Sequence, residues 1–149
     1  MTSITFTAHG TPRPQPRPRL CKGRVVSTAN ANAKRWISSV EASARQALAT
    51  SYPLQGALDV HMRFRMPTRH KDRHGKPHTS VPDTDNLAKL ALDAMVRVGL
   101  ISDDSKVSSL SVQKIWAREP GADFVVSPDL PVPIQTPALP PPDWVGGFG

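Results

Sequence analysis

The sequence predicts an α/β (α+β) fold: a single domain with a mixed β-sheet packed with two main helices. Three observations carry that prediction. A length of 149 residues suits one domain with a real core. Residues 29–50 and 84–98 place apolar side chains at three-four spacing, the mark of helices with one buried face. Residues 58–66 alternate strictly between apolar and polar, the mark of a half-buried strand. The order β-(β)-α-β-α-β-β mixes hairpin-like and crossover connections, which only a mixed sheet accommodates.

Residues 3–8 (SITFTA) alternate and are rich in strand formers, so they read as the first strand. Residues 11–19 then place proline at every second position, which forbids both helix and ladder pairing. This stretch is expected to be an extended arm carrying Arg13, Arg17 and Arg19, with a short strand at 24–27 behind it. In the first helix Ala33, Trp36, Ile37, Val40, Ala44, Ala47 and Leu48 share a face, Thr28 is the candidate N-cap and Pro53 follows the end. The 58–66 strand turns Leu58, Val60, Met62, Phe64 and Met66 inward and presents Arg63 and Arg65 on a basic outer face.

Residues 67–82 form a basic loop with Arg69, Lys71, Arg73 and Lys76. His70, His74 and His78 recur there at four-residue intervals, but Gly75 and Pro77 oppose a helix and a fourth ligand is missing, so phosphate contacts are expected rather than zinc. The second helix buries Leu87, Ala91, Ala94, Met95 and Val98, and Gly99 is its candidate C′ residue. Strands follow at 107–117 and 123–126. The remaining 128–149 is a proline- and glycine-rich tail, expected to be disordered or docked in extended form.

Composition narrows the function. The formal net charge is +7, which points to nucleic acid; no basic amphipathic helix favours a membrane surface. No run approaches the roughly 18 apolar residues of a membrane span, and a secretory signal is not expected. Cys21 is the sole cysteine, so there is neither a disulfide framework nor a cysteine zinc site, and the cytoplasm is the expected compartment.

Against that positive background stands an acidic cluster: Asp83-Thr84-Asp85-Asn86-Leu87-Ala88-Lys89, then Asp103-Asp104 after the second helix. A structural reading exists for each residue. Asp83 or Asp85 could cap the helix, worth about 0.5–2 kcal/mol, Lys89 could be the i+4 partner of Asp85, and Asp103-Asp104 could be a turn. Capping, however, needs one carboxylate rather than two. Asp85, Lys89, Asp93 and Arg97 fall on one row of the helix opposite its apolar stripe, so the row faces solvent or a ligand. Two aspartates at i,i+2 can converge on one hard cation, and such a cation activates water at a phosphodiester.

From about residue 66 to 116 the chain resembles the RusA Holliday-junction resolvases of bacteria and their prophages. The likeness rests on Asp83-x-Asp85-Asn86-Leu87-x-Lys89-x-x-x-Asp93-Ala94-Met95 and Gly99-Leu100-Ile101-x-Asp103-Asp104-x-x-Val107. The resemblance implies a RusA-like endonuclease domain over 1–127, Mg²⁺ (Mn²⁺ as substitute) on Asp83, Asp85 and Asp104, a catalytic Lys89, and a homodimer acting on branched DNA. It implies paired nicks in a four-way junction with 5′-phosphate and 3′-hydroxyl products, and no small-molecule cofactor. Asp103 is a secondary candidate, shaping the turn or holding site charge. The DNA grip is expected from Arg13, Arg17, Arg19, Arg63, Arg65, Arg69, Lys71, Arg73 and Lys76. The arginine-proline arm, the long histidine-bearing loop and the tail depart from the family pattern and bear on sequence preference.

Chain geometry leaves one question open. A helix from 85 to 99 is about 21 Å long, and the five residues to Asp104 reach at most about 17 Å. Either the chain doubles straight back along the helix, or Asp104 completes the site of a second subunit.

Overall fold

The computed structural model describes residues 3–16, 19–26 and 30–132. Its elements are β1 (Ile4–His9), β2 (Arg19–Cys21), β3 (Arg24–Val26), α1 (Ala31–Ala49), β4 (Leu58–Pro67), α2 (Thr84–Arg97), β5 (Val107–Ala117) and β6 (Gly121–Pro128). Four strands form one mixed sheet in the order β1-β6-β4-β5, with β4 and β5 parallel and the other pairs antiparallel. β5 and β6 are consecutive but not neighbours: residues 118–120 carry the chain past the end of β4. α1 packs on β1, α2 on β5, and the two helices touch each other.

The alternation of β4 explains this layering. Leu58, Val60, Met62, Phe64 and Met66 are buried beneath the helices, while His61 and Arg63 project from the uncovered face. Phe124 of β6 stacks on Phe6 at 4.8 Å and meets Phe64 edge-on at 6.0 Å, centroid to centroid. From α1 the buried residues are Ala33, Trp36, Val40 and Ala44; from α2 they are Leu87, Ala88, Leu90, Ala91, Ala94 and Met95.

Three local expectations change. α1 starts at Ala31, and its N-cap is Asn30, whose side-chain oxygen accepts the Ala33 N–H at 2.9 Å. Thr28, the cap expected from sequence, lies outside the described residues. Asn30→Ala should lower stability by about 0.5–2 kcal/mol, measurable by denaturant melts. Second, Arg19 belongs to a strand rather than to the arm. Lys22 and Gly23 both take positive φ (51° and 75°), the conformation a two-residue hairpin turn requires, and so β2 folds onto β3. Arg17 and the tail from residue 133 onward lie outside the described residues.

Third, the basic loop is tied to the sheet. It contains a 3₁₀ turn at Lys71–Arg73, and residues 75–78 then run along the edge of β5. The Gly75 N–H donates to the Trp116 carbonyl at 2.8 Å and the Trp116 N–H to the Lys76 carbonyl at 2.9 Å. The His78 N–H donates to the Lys114 carbonyl at 3.0 Å.

Candidate active site

The acidic cluster is delivered by the first turn of α2 and by the segment that returns from its end. Asp83 occupies the N-cap position: its backbone carbonyl accepts the Leu87 N–H at 3.1 Å, yet its side chain makes no capping bond. The carboxylate is exposed and borders a groove with Pro14, Val81, Pro82 and Asn86. The arm docks beside it, because the Gln15 N–H donates to the Asn86 carbonyl at 3.1 Å. Capping therefore does not account for the Asp83 side chain.

At the other end of α2, Gly99 takes φ +80°, and the Leu100 and Ile101 N–H groups bond back to the Met95 carbonyl at 3.0 and 3.3 Å. Leu100 and Ile101 are buried, which fixes the reversal. The chain then doubles back, and Asp104 comes to line one open cleft of about 420 Å³ with Thr84, Asp85, Lys89 and Asp93. Apolar Ala88, Leu92, Leu110 and Val112 form the rest of its wall. A single chain thus brings Asp85 and Asp104 together; Asp83 stands at the neighbouring groove.

The two aspartates of the turn are not equivalent. Asp103 accepts the Ser105 N–H at 3.0 Å, and this bond, with one shared with Asp104, holds its pKa below the ordinary carboxylate value. Asp104 is pushed the other way, by the hydrogen bond and the charge of Asp103; Asp93 adds to the upward push and Lys89 opposes it. Lys89 pairs with Asp93 at 3.7 Å rather than with Asp85. Such an exposed i,i+4 pair is worth only about 0.3–0.5 kcal/mol, so the ammonium can turn to a phosphate at little cost. Asp93 is a cleft residue that the sequence reading left without a role, although its place on the Asp85–Lys89 row carried the signal.

Asp85, Asp93 and Asp104 give the cleft an oxygen-only donor set, which suits a hard cation such as Mg²⁺. Among the described residues no three His, Cys, Asp or Glu side chains stand close enough to hold a metal by themselves. Mg²⁺ usually takes one or two carboxylates and completes its shell with water and substrate phosphate. The cleft fits a cation of that kind, shared with a phosphate.

A family model described as endodeoxyribonuclease RusA matches residues 9–126, a span that runs from the end of β1 to β6 and includes both helices and the acidic cleft. The chain belongs to the RusA family. It is also 29% identical over 140 residues to the uncharacterized protein YqaN of Bacillus subtilis (strain 168), covering 85% of this chain and 96% of that protein.

The basic residues of this RusA chain are distributed around the domain. Arg69, Lys71, Arg73 and Lys76 are exposed on the tethered loop, and Arg73 lies over the Trp116 ring at 5.8 Å. Arg13 lines a polar pocket with His9, Asn32 and Arg35. Arg63 bonds Gln113 at 2.9 Å on the uncovered sheet face, and Arg65 is largely engaged there by Asp123 at 3.4 Å. No helix among the described residues is long and apolar enough to cross a membrane.

The three loop histidines do not form a metal cluster. His74 hydrogen-bonds the Thr68 carbonyl at 3.0 Å, while His78 is buried with its ring 4.2 Å from that of Trp116. Burial, then the charge of Lys114, hold the His78 pKa below the ordinary imidazole value of 6.5. The folded chain therefore prefers the neutral ring. As the pH falls below about 6.5 the unfolded chain takes up this proton first, so the stability present above that value is lost as the pH falls through the folded value. Tm should drop as the pH falls below about 6.5, and His78→Phe should reduce the drop.

Proposed function

We propose that this chain is a Mg²⁺-dependent, structure-specific endodeoxyribonuclease that resolves four-way junctions by paired symmetric nicks in DNA recombination and repair. The observation that carries the reading is the convergence of Asp85, Asp93, Asp104 and Lys89 on one open cleft in a chain of net charge +7. Membership of an endodeoxyribonuclease family supports it.

Asp85 and Asp104 would hold the cation, with Asp83 added from the adjoining groove. Bound there, it would supply a Lewis acid that activates water and stabilises charge on the scissile phosphate; Mn²⁺ has the same oxygen preference and would substitute. Lys89 lies one turn beyond Asp85 and leaves Asp93 to hold a phosphate oxygen, orienting the phosphodiester for in-line attack. Asp103 keeps the turn in shape through Ser105. The products would be a 5′-phosphate and a ligatable 3′-hydroxyl.

Arg69, Lys71, Arg73, Lys76 and Arg13 would grip phosphates and read the shape of the junction more than its sequence. Affinity should therefore fall steeply with salt. A junction has two-fold symmetry and needs two matching nicks, which a homodimer supplies. Bacterial or prophage DNA in the cytoplasm is the expected substrate pool.

The test is a side-by-side digestion of four-way junction, fork, flap and linear duplex in Mg²⁺. Preferred, paired cutting of the junction supports the reading. Equal or stronger cutting of flaps or forks would reassign the chain to other branched DNA, and binding without cutting would make it a non-catalytic DNA-binding protein.

A further inference from the structure

We propose that Lys114 is a positioning residue for the Asp83/Asp85 pair, its ammonium holding in place the loop that delivers them; this rests on the reading of those aspartates as metal-binding groups. Lys114 pairs with Phe64 in the β4–β5 register, and its neighbours of the same parity on β5 are Val112 and Trp116. Strand alternation expects an apolar side chain at this position. Instead the Lys114 Nζ donates to the Ser80 carbonyl and to the Pro82 carbonyl, each at 2.7 Å. Pro82 immediately precedes Asp83, the N-cap residue of α2.

Lys114 holds the segment from two sides. Its main-chain carbonyl accepts the His78 N–H at 3.0 Å, and its side chain secures the two carbonyls further along. Among the described residues no other hydrogen bond reaches residues 79–82. Packing gives little help, since the Val81 side chain is 82% exposed. An ammonium suits this double contact, because it is a donor-only group whose rotating N–H bonds can meet two carbonyls from different directions.

The need for such a clamp follows from Asp83. Its side chain is not spent on capping, so local helix geometry does not fix where the carboxylate points. A metal-binding constellation tolerates only about 0.5 Å of misplacement, and the loop ahead of it must be held to that tolerance. Lys114 therefore acts through Ser80 and Pro82 rather than on the DNA.

The experiment compares the full-length parent with Lys114→Met, which keeps the length and removes the donors, and with Lys114→Gln, which keeps a polar head should the methionine chain fold poorly. Four readouts are taken on folded protein: amide hydrogen exchange at Leu87, whose N–H is held by the Asp83 carbonyl just behind the clamped segment, Mn²⁺ binding by paramagnetic resonance, junction binding in EDTA, and kcat at saturating junction. Expected are faster exchange at Leu87 with the amides of the sheet unchanged, Mn²⁺ affinity and kcat lower by about 10–100-fold, as for other residues that orient metal ligands, and junction binding within about twofold of the parent. Unchanged exchange and Mn²⁺ affinity would overturn the proposal. So would weakened junction binding with kcat preserved, which would make Lys114 a DNA contact. If the parent itself binds no Mn²⁺, the metal reading of Asp83 and Asp85 fails, and the exchange comparison alone decides whether Lys114 fixes the loop.

Discussion

An Asp85→Asn chain is expected to bind four-way junctions at least as tightly as the parent and to leave them uncut. The substitution keeps the shape of an exposed side chain in the first turn of α2 and removes one negative charge from the cleft. Stability should change little, because no hydrogen bond or ion pair of the Asp85 side chain is present among the described residues. Binding should tighten slightly, since a repulsive charge near the DNA phosphates is gone. Cleavage should fall by at least about 10²-fold, the scale seen when one preorganised electrostatic group is removed from an active site. Asp104→Asn should do the same, because Asp104 lines the same cleft in the same chain. Mixing the two variants should then restore nothing: every subunit carries a damaged site. Recovered activity in the mixture would mean that the carboxylates act across a subunit boundary.

Phe64→Ala is expected to cost about 3–5 kcal/mol, the usual range for emptying a buried aromatic site. Phe64 is fully buried in the central strand, and its ring meets Phe124 edge-on at 6.0 Å. Phe124 in turn stacks on Phe6, so the loss would be felt in β1, β6 and β4 together. For a domain that is only marginally stable, of the order of 5–15 kcal/mol, the variant should show a much lower denaturation midpoint. A loss below about 1 kcal/mol would mean that the core collapses around the cavity far more readily than its packing implies.

Periodic elements were legible in the sequence because their pattern is also their energetics. The inward face of β4 and the apolar stripe of α2 are the positions that bury, and Gly99 ends α2 because a positive φ is needed there. The spacing of Asp83, Asp85 and Lys89 was legible for a related reason: one helical turn puts Asp85 and Lys89 on a common face. What the sequence left open depends on contacts between distant segments. Asp104 reaches the cleft only because Leu100 and Ile101 bury behind Gly99, which sequence spacing bounded but did not decide. The loop at 67–82 is polar and lacks periodicity, so nothing in it announced that residues 75–78 would follow the edge of β5. Lys114 carried a weak signal, a charge at an apolar position of an alternating strand, whose meaning required knowing where Ser80 and Pro82 lie. β2 was hidden behind the prolines, although Lys22-Gly23 is a usable hairpin turn.

The central claim is that this acidic cleft cuts DNA junctions with the help of a divalent metal, and one measurement addresses it directly. The purified chain is incubated with a four-way junction labelled on each strand, in Mg²⁺ and in EDTA, and the nicks are mapped. The expected result is a pair of symmetric nicks on opposing strands in Mg²⁺, sealable by ligase, and none in EDTA. Junction binding without any cut in Mg²⁺ or Mn²⁺, or cutting that persists undiminished in EDTA, would contradict the account.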